Sequence, residues 1–255
     1  MRRNKIYLFC LLTTVFICIN LLFIQCTFDH KTNIKTYYFP LHNLKDGLVY
    51  EYRGVNNEQL PPYYWFYRSI RAAESTFLTG MYYDYTFTPQ QFIREERIDN
   101  GMLLEETFIY ETDSLGLQNQ IPVEVAAGNA FPFEVKDSLG VFLYNISWYS
   151  PKDSMAYTLI RNRRYKGKTT FAYKDKDYRA IEFSVRELIE TEQEGFLNIE
   201  LEGKEIYAQG LGLVYVSKKS LDSNFEQSYQ LYDTYSMEAL EAKFGEQLER
   251  EKRKE

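Results

Sequence analysis

The sequence predicts a mainly β domain: a curved antiparallel sheet, arranged as a half-barrel or a sandwich, with a C-terminal helix. Three observations predict it. Twenty-three tyrosines and 18 phenylalanines bring the aromatic share to 17%, and these residues favour pleated, half-buried surfaces. Short alternating segments are separated by Gly, Asn, Asp and Pro, the punctuation of strands joined by turns. Between them lies no long stretch of helical period, which argues against βαβ units.

Leu48 to Tyr52 reads as a first strand. Pro61 and Pro62 exclude regular pairing in the loop after it. Tyr63 to Tyr67 follows, and alternation puts Tyr63, Trp65 and Tyr67 on one face with Tyr64 and Phe66 on the other. Met81 to Thr88 is the next strand, stopped by Pro89. Phe92 to Ile98 and Met102 to Glu111 flank Asp99-Asn100-Gly101, where Asn-Gly predicts a tight hairpin with positive φ angles. Val141 to Tyr149 places Phe142, Tyr144, Ile146 and Trp148 together. A turn at Ser150 to Ser154 leads into Met155 to Arg161. Tyr178 to Arg186 groups Ile181, Phe183 and Val185. Phe196 to Glu202 groups Leu197, Ile199 and Leu201, and Glu202-Gly203-Lys204 reads as a turn into Glu205 to Gln209. Gly210-Leu211-Gly212 reads as a kink before Leu211 to Ser217, and Phe225 to Tyr235 gives one more strand. About ten strands result, enough for a strongly curved sheet, a sandwich or a barrel.

Ser236 then offers an N-cap, and Met237, Leu240, Phe244 and Leu248 form one helical stripe, with Tyr235 and Leu240 spaced as a hydrophobic staple. Residues 236–255 are accordingly expected as an amphipathic helix docked on the sheet, and residues 46–235 as the β domain. Residues 26–45 are polar around the knot Tyr37-Tyr38-Phe39-Pro40 and read as a tether.

The start of the chain has a different character. Arg2, Arg3 and Lys5 precede an apolar run from Ile6 to Ile24, broken by Thr13, Thr14 and Asn20. That layout is an export signal or a membrane-spanning anchor, and either leaves the rest of the chain on the outer side. The three cysteines, Cys10, Cys18 and Cys26, all fall within or at the edge of this segment, so the exported part has no disulfide. Leu22-Phe23-Ile24-Gln25-Cys26 resembles a bacterial lipoprotein signal. The resemblance implies cleavage of residues 1–25, lipidation at Cys26 and an anchor in the cell envelope, and Thr27 after the cysteine implies the outer membrane. An uncleaved helical anchor remains the alternative. Tyr207 to Tyr215 is similar to a late strand pair of uncharacterised periplasmic β-rich lipoproteins, and the general plan resembles lipoprotein-carrier half-barrels. That likeness implies a curved sheet with an apolar concave face.

Without residues 1–25 the chain carries 27 basic and 36 acidic residues, a net charge of −9. An acidic domain lacks the electrostatic footprint of nucleic-acid binding. Its two histidines, His30 and His42, lie in the expected tether. This argues against Ser-His-Asp or Cys-His catalysis and against His/Cys zinc sites, so neither a metal nor a cofactor is expected. Asp175-Lys176-Asp177 has too few oxygen ligands for a calcium loop and reads as a polar turn. Glu95-Glu96 and Glu105-Glu106 sit on the two arms of the Asn-Gly hairpin, beside Arg94 and Arg97, and read as cross-strand ion pairs.

Three functions follow as expectations. The first is a non-enzymatic, membrane-anchored lipoprotein that binds a partner protein or an envelope assembly. The second is a half-barrel binding an apolar or lipid ligand, with Tyr63, Trp65 and Tyr67 as its binding face. The third is a carboxylate-based hydrolase. An interior cavity would separate the second from the first.

Overall fold

A computed structural model describes residues 31–252, apart from 56, 58, 137–139 and 193–195. The expected leader, Cys26 and His30 lie outside the described residues. Among those described, no helix is long and apolar enough to cross a membrane.

The fold is mainly antiparallel β. In chain order the strands are β1 (Lys31–Asn33), β2 (Leu48–Gly54), β3 (Tyr63–Ala72), β4 (Ser75–Tyr83), β5 (Pro89–Ile98), β6 (Gly101–Thr112), β7 (Gln118–Pro122) and β8 (Glu124–Pro132). There follow β9 (Glu134–Lys136), β10 (Phe142–Ser150), β11 (Met155–Tyr173), β12 (Lys176–Glu192), β13 (Phe196–Ala208), β14 (Gly212–Ser220) and β15 (Glu226–Tyr235), then helix α1 (Met237–Lys252). One large sheet runs β5-β4-β3-β2-β15-β14-β13-β12-β11-β10-β8-β6-β7, and β5 also pairs with β6. That extra pairing joins the sheet to itself. Twelve strands form a barrel-like ring, with β7 attached to the outer half of β6 and a small β1–β9 ribbon to one side. The half-barrel expectation is thereby sharpened to a closed ring, the arrangement that removes free sheet edges.

Alternation gives the ring its inside. On β12, Ile181, Phe183 and Val185 are buried together as expected, while Arg186 on the outer face is exposed. Arg164 and Lys166 of β11 also point outward into water. Apolar-in and charged-out is the reverse of the alternation a lipid-embedded barrel requires. Register breaks at Tyr165/Gly167, Arg94/Glu95, Asn145/Ile146 and Ile206/Tyr207 are bulges that bend long strands around the ring.

Several turns differ from the sequence reading. β13 passes straight through Glu202-Gly203-Lys204. A Cβ on Gly203 would stand 1.9 Å from the Ser217 carbonyl oxygen, so this glycine serves the close approach of β14 and not a turn. The Asp99-Asn100 hairpin exists, with Ile98 paired to Gly101, yet neither turn residue has positive φ. Gly101 is required because a Cβ there would meet the Phe131 carbonyl oxygen at 2.6 Å. The two-residue turn with both φ positive is Lys174-Asp175, at 48° and 60°, between Tyr173 and Lys176; this is the type I′ pattern. Strand β4 starts at Ser75, earlier than expected, and Pro89 opens β5 instead of merely stopping its predecessor.

The expected tether is the largest correction. From Lys31 onward the chain is packed: Ile34 and Leu44 are fully buried, and Tyr37, Tyr38 and Phe39 nearly so. Ile34 N–H donates to Phe133 O at 2.8 Å, and Thr36 O accepts from Gly210 N–H at 3.2 Å. The polar residues of 31–45 face water while their aromatics enter the ring, which composition alone conceals.

Helix α1 behaves as its stripe predicts. Ser236 Oγ accepts from Ala239 N–H at 3.3 Å, satisfying one otherwise unpaired amide. Leu240 is fully buried against Val49 and Tyr64, with Tyr235, Met237 and Phe244 beside it. Burying one such leucine contributes about 2 kcal/mol. The Leu248 side chain lies outside the described residues.

Candidate functional site

The ring lines a cavity of about 380 Å³ that opens to solvent. Tyr63, Trp65 and Tyr67 line it together, and Tyr82 of β4 completes that wall. Trp65 is stacked between the last two, 5.4 Å from Tyr67 at 2° and 5.3 Å from Tyr82 at 28°. The other face of β3 is covered by α1, where Tyr64 meets Phe244 edge-on at 5.7 Å and Phe66 joins the same cluster. The two aromatic faces of this strand therefore have different fates, one open to a cavity and one sealed by a helix.

Tyr38 and Phe39, from the residues expected as a tether, also line the cavity. The Phe39 ring lies 4.3 Å from Tyr67. The Tyr38 hydroxyl donates to a Glu95 carboxylate oxygen.

A polar cluster lines the rest. β11 stands half-way around the ring from β3 in the strand order, and it supplies Arg161 and Arg163. β5 supplies Glu95, β13 supplies Glu205 and Tyr207, and β14 supplies Lys218. Arg163 Nη2 donates to Asn129 O at 2.6 Å, while Nη1 reaches Glu205 and Tyr207 at 3.5 Å each. Tyr207 donates to Glu205 at 3.0 Å. Behind them Glu187, 4% exposed, takes Arg161 Nε at 2.5 Å and Lys218 Nζ at 2.7 Å.

The electrostatics follow from these contacts. Burial pushes the Glu95 carboxyl above its ordinary value, aided by nearby Glu205 and opposed by Tyr38 and Arg163. Burial acts in the same direction on Glu187, but Arg161 and Lys218 overcome it and hold that carboxyl at about 2. Burial and the Glu205 charge keep the Tyr207 phenol protonated far beyond its usual range. At neutral pH the cavity thus offers phenol donors, guanidinium and ammonium donors, and an aromatic wall. Such a mixture suits a ligand that is apolar on one side and hydrogen-bonding on the other.

The acids singled out from the hairpin do not converge on this site as pairs. Glu105 and Glu106 both take Arg94 at 3.0 Å, as the ion-pair reading expected, and Glu96 accepts from Ser75 at 2.5 Å. Only Glu95 turns inward. Sequence reasoning missed Glu95, Arg161, Arg163 and Glu205 as cavity residues. A signal existed on β11: Leu159, Arg161, Arg163 and Tyr165 share one alternation phase, so two arginines occupy positions facing inward with apolar neighbours. Among the described residues, no cluster of three or more His, Cys, Asp or Glu is placed to hold a metal ion.

Comparison with known proteins bears on the fold. No family model and no curated protein matches the chain. Two crystal structures do. One is a "putative lipoprotein" from Parabacteroides distasonis ATCC 8503, 14% identical, with a TM-score of 0.51 over 78% of this chain and 98% of that one. The other is a "putative exported protein" with a YmcC-like fold from Bacteroides fragilis NCTC 9343, 12% identical, with a TM-score of 0.53 over 78% of this chain and 99% of that one. At these identities the common ground is architecture: the chain has the barrel-like antiparallel fold found in a protein described as a lipoprotein and in another described as exported.

Proposed function

We propose that the chain is an exported, membrane-tethered lipoprotein whose barrel holds a small amphipathic molecule, without catalysing a reaction on it. One observation carries the binding half of this reading: the cavity itself. Protein interiors are close-packed, with few voids larger than a water molecule, and 380 Å³ has room for about a dozen waters. An interior left this open beside a stacked Trp65 and a buried ion cluster is built to be occupied. It favours a ligand module over a barrel that only presents its outside to a partner protein. The mixed lining moves the expectation from a purely apolar guest to an amphipathic one. The anchoring half rests on the leader and Cys26, with the two structural neighbours in support.

Trp65 and Trp148 are the two tryptophans of the chain, so Trp148→Phe leaves a single reporter on the cavity wall. Titrating that full-length variant in detergent with 2-naphthamide, a neutral planar probe, gives a saturable change in Trp65 emission. A response that stays linear, like that of free tryptophan in the same micelles, defeats the binding reading. For the anchor, Cys26→Ser abolishes incorporation of labelled fatty acid, and mass spectrometry of the mature N-terminus reads the processing directly.

Hydrolysis by paired carboxyls is a second reading, since Glu95 and Glu205 line the same cavity and one of them has a raised pKa. Both are already engaged, Glu95 by Tyr38 and Glu205 by Tyr207 and Arg163. That engagement favours positioning a ligand over moving its protons.

A further inference from the structure

Among the described residues, Arg163 is a buried charge whose partners are mostly loose. Its residue is 5% exposed, and a guanidinium has five N–H donors to place. One short hydrogen bond is made, from Nη2 to the Asn129 carbonyl at 2.6 Å. The two contacts from Nη1, to Glu205 and Tyr207, are both 3.5 Å, whereas charge-assisted bonds of this type are normally about 2.7–2.9 Å. Nε has no partner, and neither does the neighbouring Asn129 Oδ1.

The surrounding acids do not make up the deficit. Glu187 is committed to Arg161 and Lys218. Glu205 takes its shorter hydrogen bond from Tyr207, and Glu95 takes the Tyr38 hydroxyl. A buried cation left with loose partners is costly, and the open space beside it is where compensation can arrive.

We propose that the interior site is selective for an anion, with Arg163 as the anchor for a carboxylate or phosphate monoester whose body lies against the Trp65 wall. This rests on the ligand-binding reading above and specifies its chemistry. The acceptor group replaces the 3.5 Å contacts of Arg163 with short ones, and the planar or apolar body covers Trp65, Tyr67 and Tyr82. Glu205 competes with the ligand for the same guanidinium.

The test compares 2-naphthoate, 2-naphthyl phosphate and the neutral 2-naphthamide by calorimetry on the full-length protein in detergent at pH 7.5, against micelle blanks. At least one of the two anions binds tenfold or more tighter than the amide, and which one does so tells a carboxylated ligand from a phosphorylated one. Arg163→Met removes that preference by weakening the preferred anion tenfold or more, and its circular dichroism spectrum and thermal midpoint show the variant to be folded. Glu205→Gln, which frees Arg163 of its competitor, tightens the preferred anion at least threefold. Equal binding of all three probes to the native protein, with no response to Glu205→Gln, overturns anion selectivity and leaves the cavity reading standing. Binding of none of the three overturns both.

Discussion

Two buried charges, on opposite faces of one sheet, make an instructive pair. Glu51, on the outer face of β2 beneath α1, is 1% exposed. It accepts from Arg53 Nε, Tyr235 Oη and Lys243 Nζ, each at 2.7 Å. Arg163, on the inner face of β11, is about as buried but makes a single short hydrogen bond. The first is a finished structural joint: strand, strand end and helix meet on one carboxylate with three short hydrogen bonds. The second is an unfinished joint beside a cavity. Burial alone does not distinguish structure from site; satisfaction does.

The comparison can be broken most forcefully at Glu51. Glu51→Ala strands the Lys243 and Tyr235 donors under the helix and costs about 4 kcal/mol, the range for removing one partner of a buried pair. Urea unfolding measures the loss, and accelerated proteolysis within α1 locates it. A cost near zero would mean that the joint is decorative.

The next effect comes from acid. Glu51 and Glu187 both have carboxyls lowered in the folded state, each against the opposing influence of burial, Glu51 by Lys243, Tyr235 and Arg53 and Glu187 by Arg161 and Lys218. A lowered folded pKa means stability that is complete above the unfolded value near 4.5 and is lost as pH falls through the folded one. For Glu187, held at about 2, the loss is on the order of 3 kcal/mol across that window. Denaturation curves between pH 6 and pH 2 follow it, and Glu187→Gln flattens the slope.

The smallest effect has the opposite sign. The Glu95 carboxyl is raised by burial, so the folded state favours its neutral form and loses stability as pH climbs above the unfolded value. Glu95→Gln keeps an acceptor for Tyr38 without the buried charge. It raises Tm at pH 7 by a few degrees, and the gain vanishes at pH 4. A lowered Tm at both pH values would mean that Glu95 works ionised, as a partner of Arg163.

Much of the fold is legible in the sequence where one strand suffices to read it. The alternation at Tyr63 to Tyr67 correctly separates a face that lines the cavity from one that packs elsewhere, and the Leu240 stripe correctly predicts a docked helix. The ring closure is not legible: the Asn-Gly hairpin foretells β5 beside β6, but β6 also pairs with β8, a fact about partners and not about any segment. The polar cluster is obscured for the same reason. Its members come from β5, β11, β13 and β14; Gln91, Ile93 and Glu95 keep one alternation phase on β5 and all line the cavity, but β5 alone does not tell which of its faces closes on the other three strands. The residues taken as a tether mislead differently: their composition is polar, but Ile34, Tyr38, Phe39 and Leu44 recur often enough to fill a barrel end.

The seam between β2 and β15 has a consequence for when the barrel can exist at all. Val49 pairs with Tyr235 and Tyr52 with Leu231, so β2 finds its neighbour in the last strand of the described residues. A chain delivered N-terminus first, by a ribosome or through an export channel, has β3 for one edge of β2 but leaves the other edge open until β15 has emerged. Pairings between residues this distant along the chain are slow to form. The interior is therefore complete only once β15 has arrived beside β2, on whichever side of a membrane that happens.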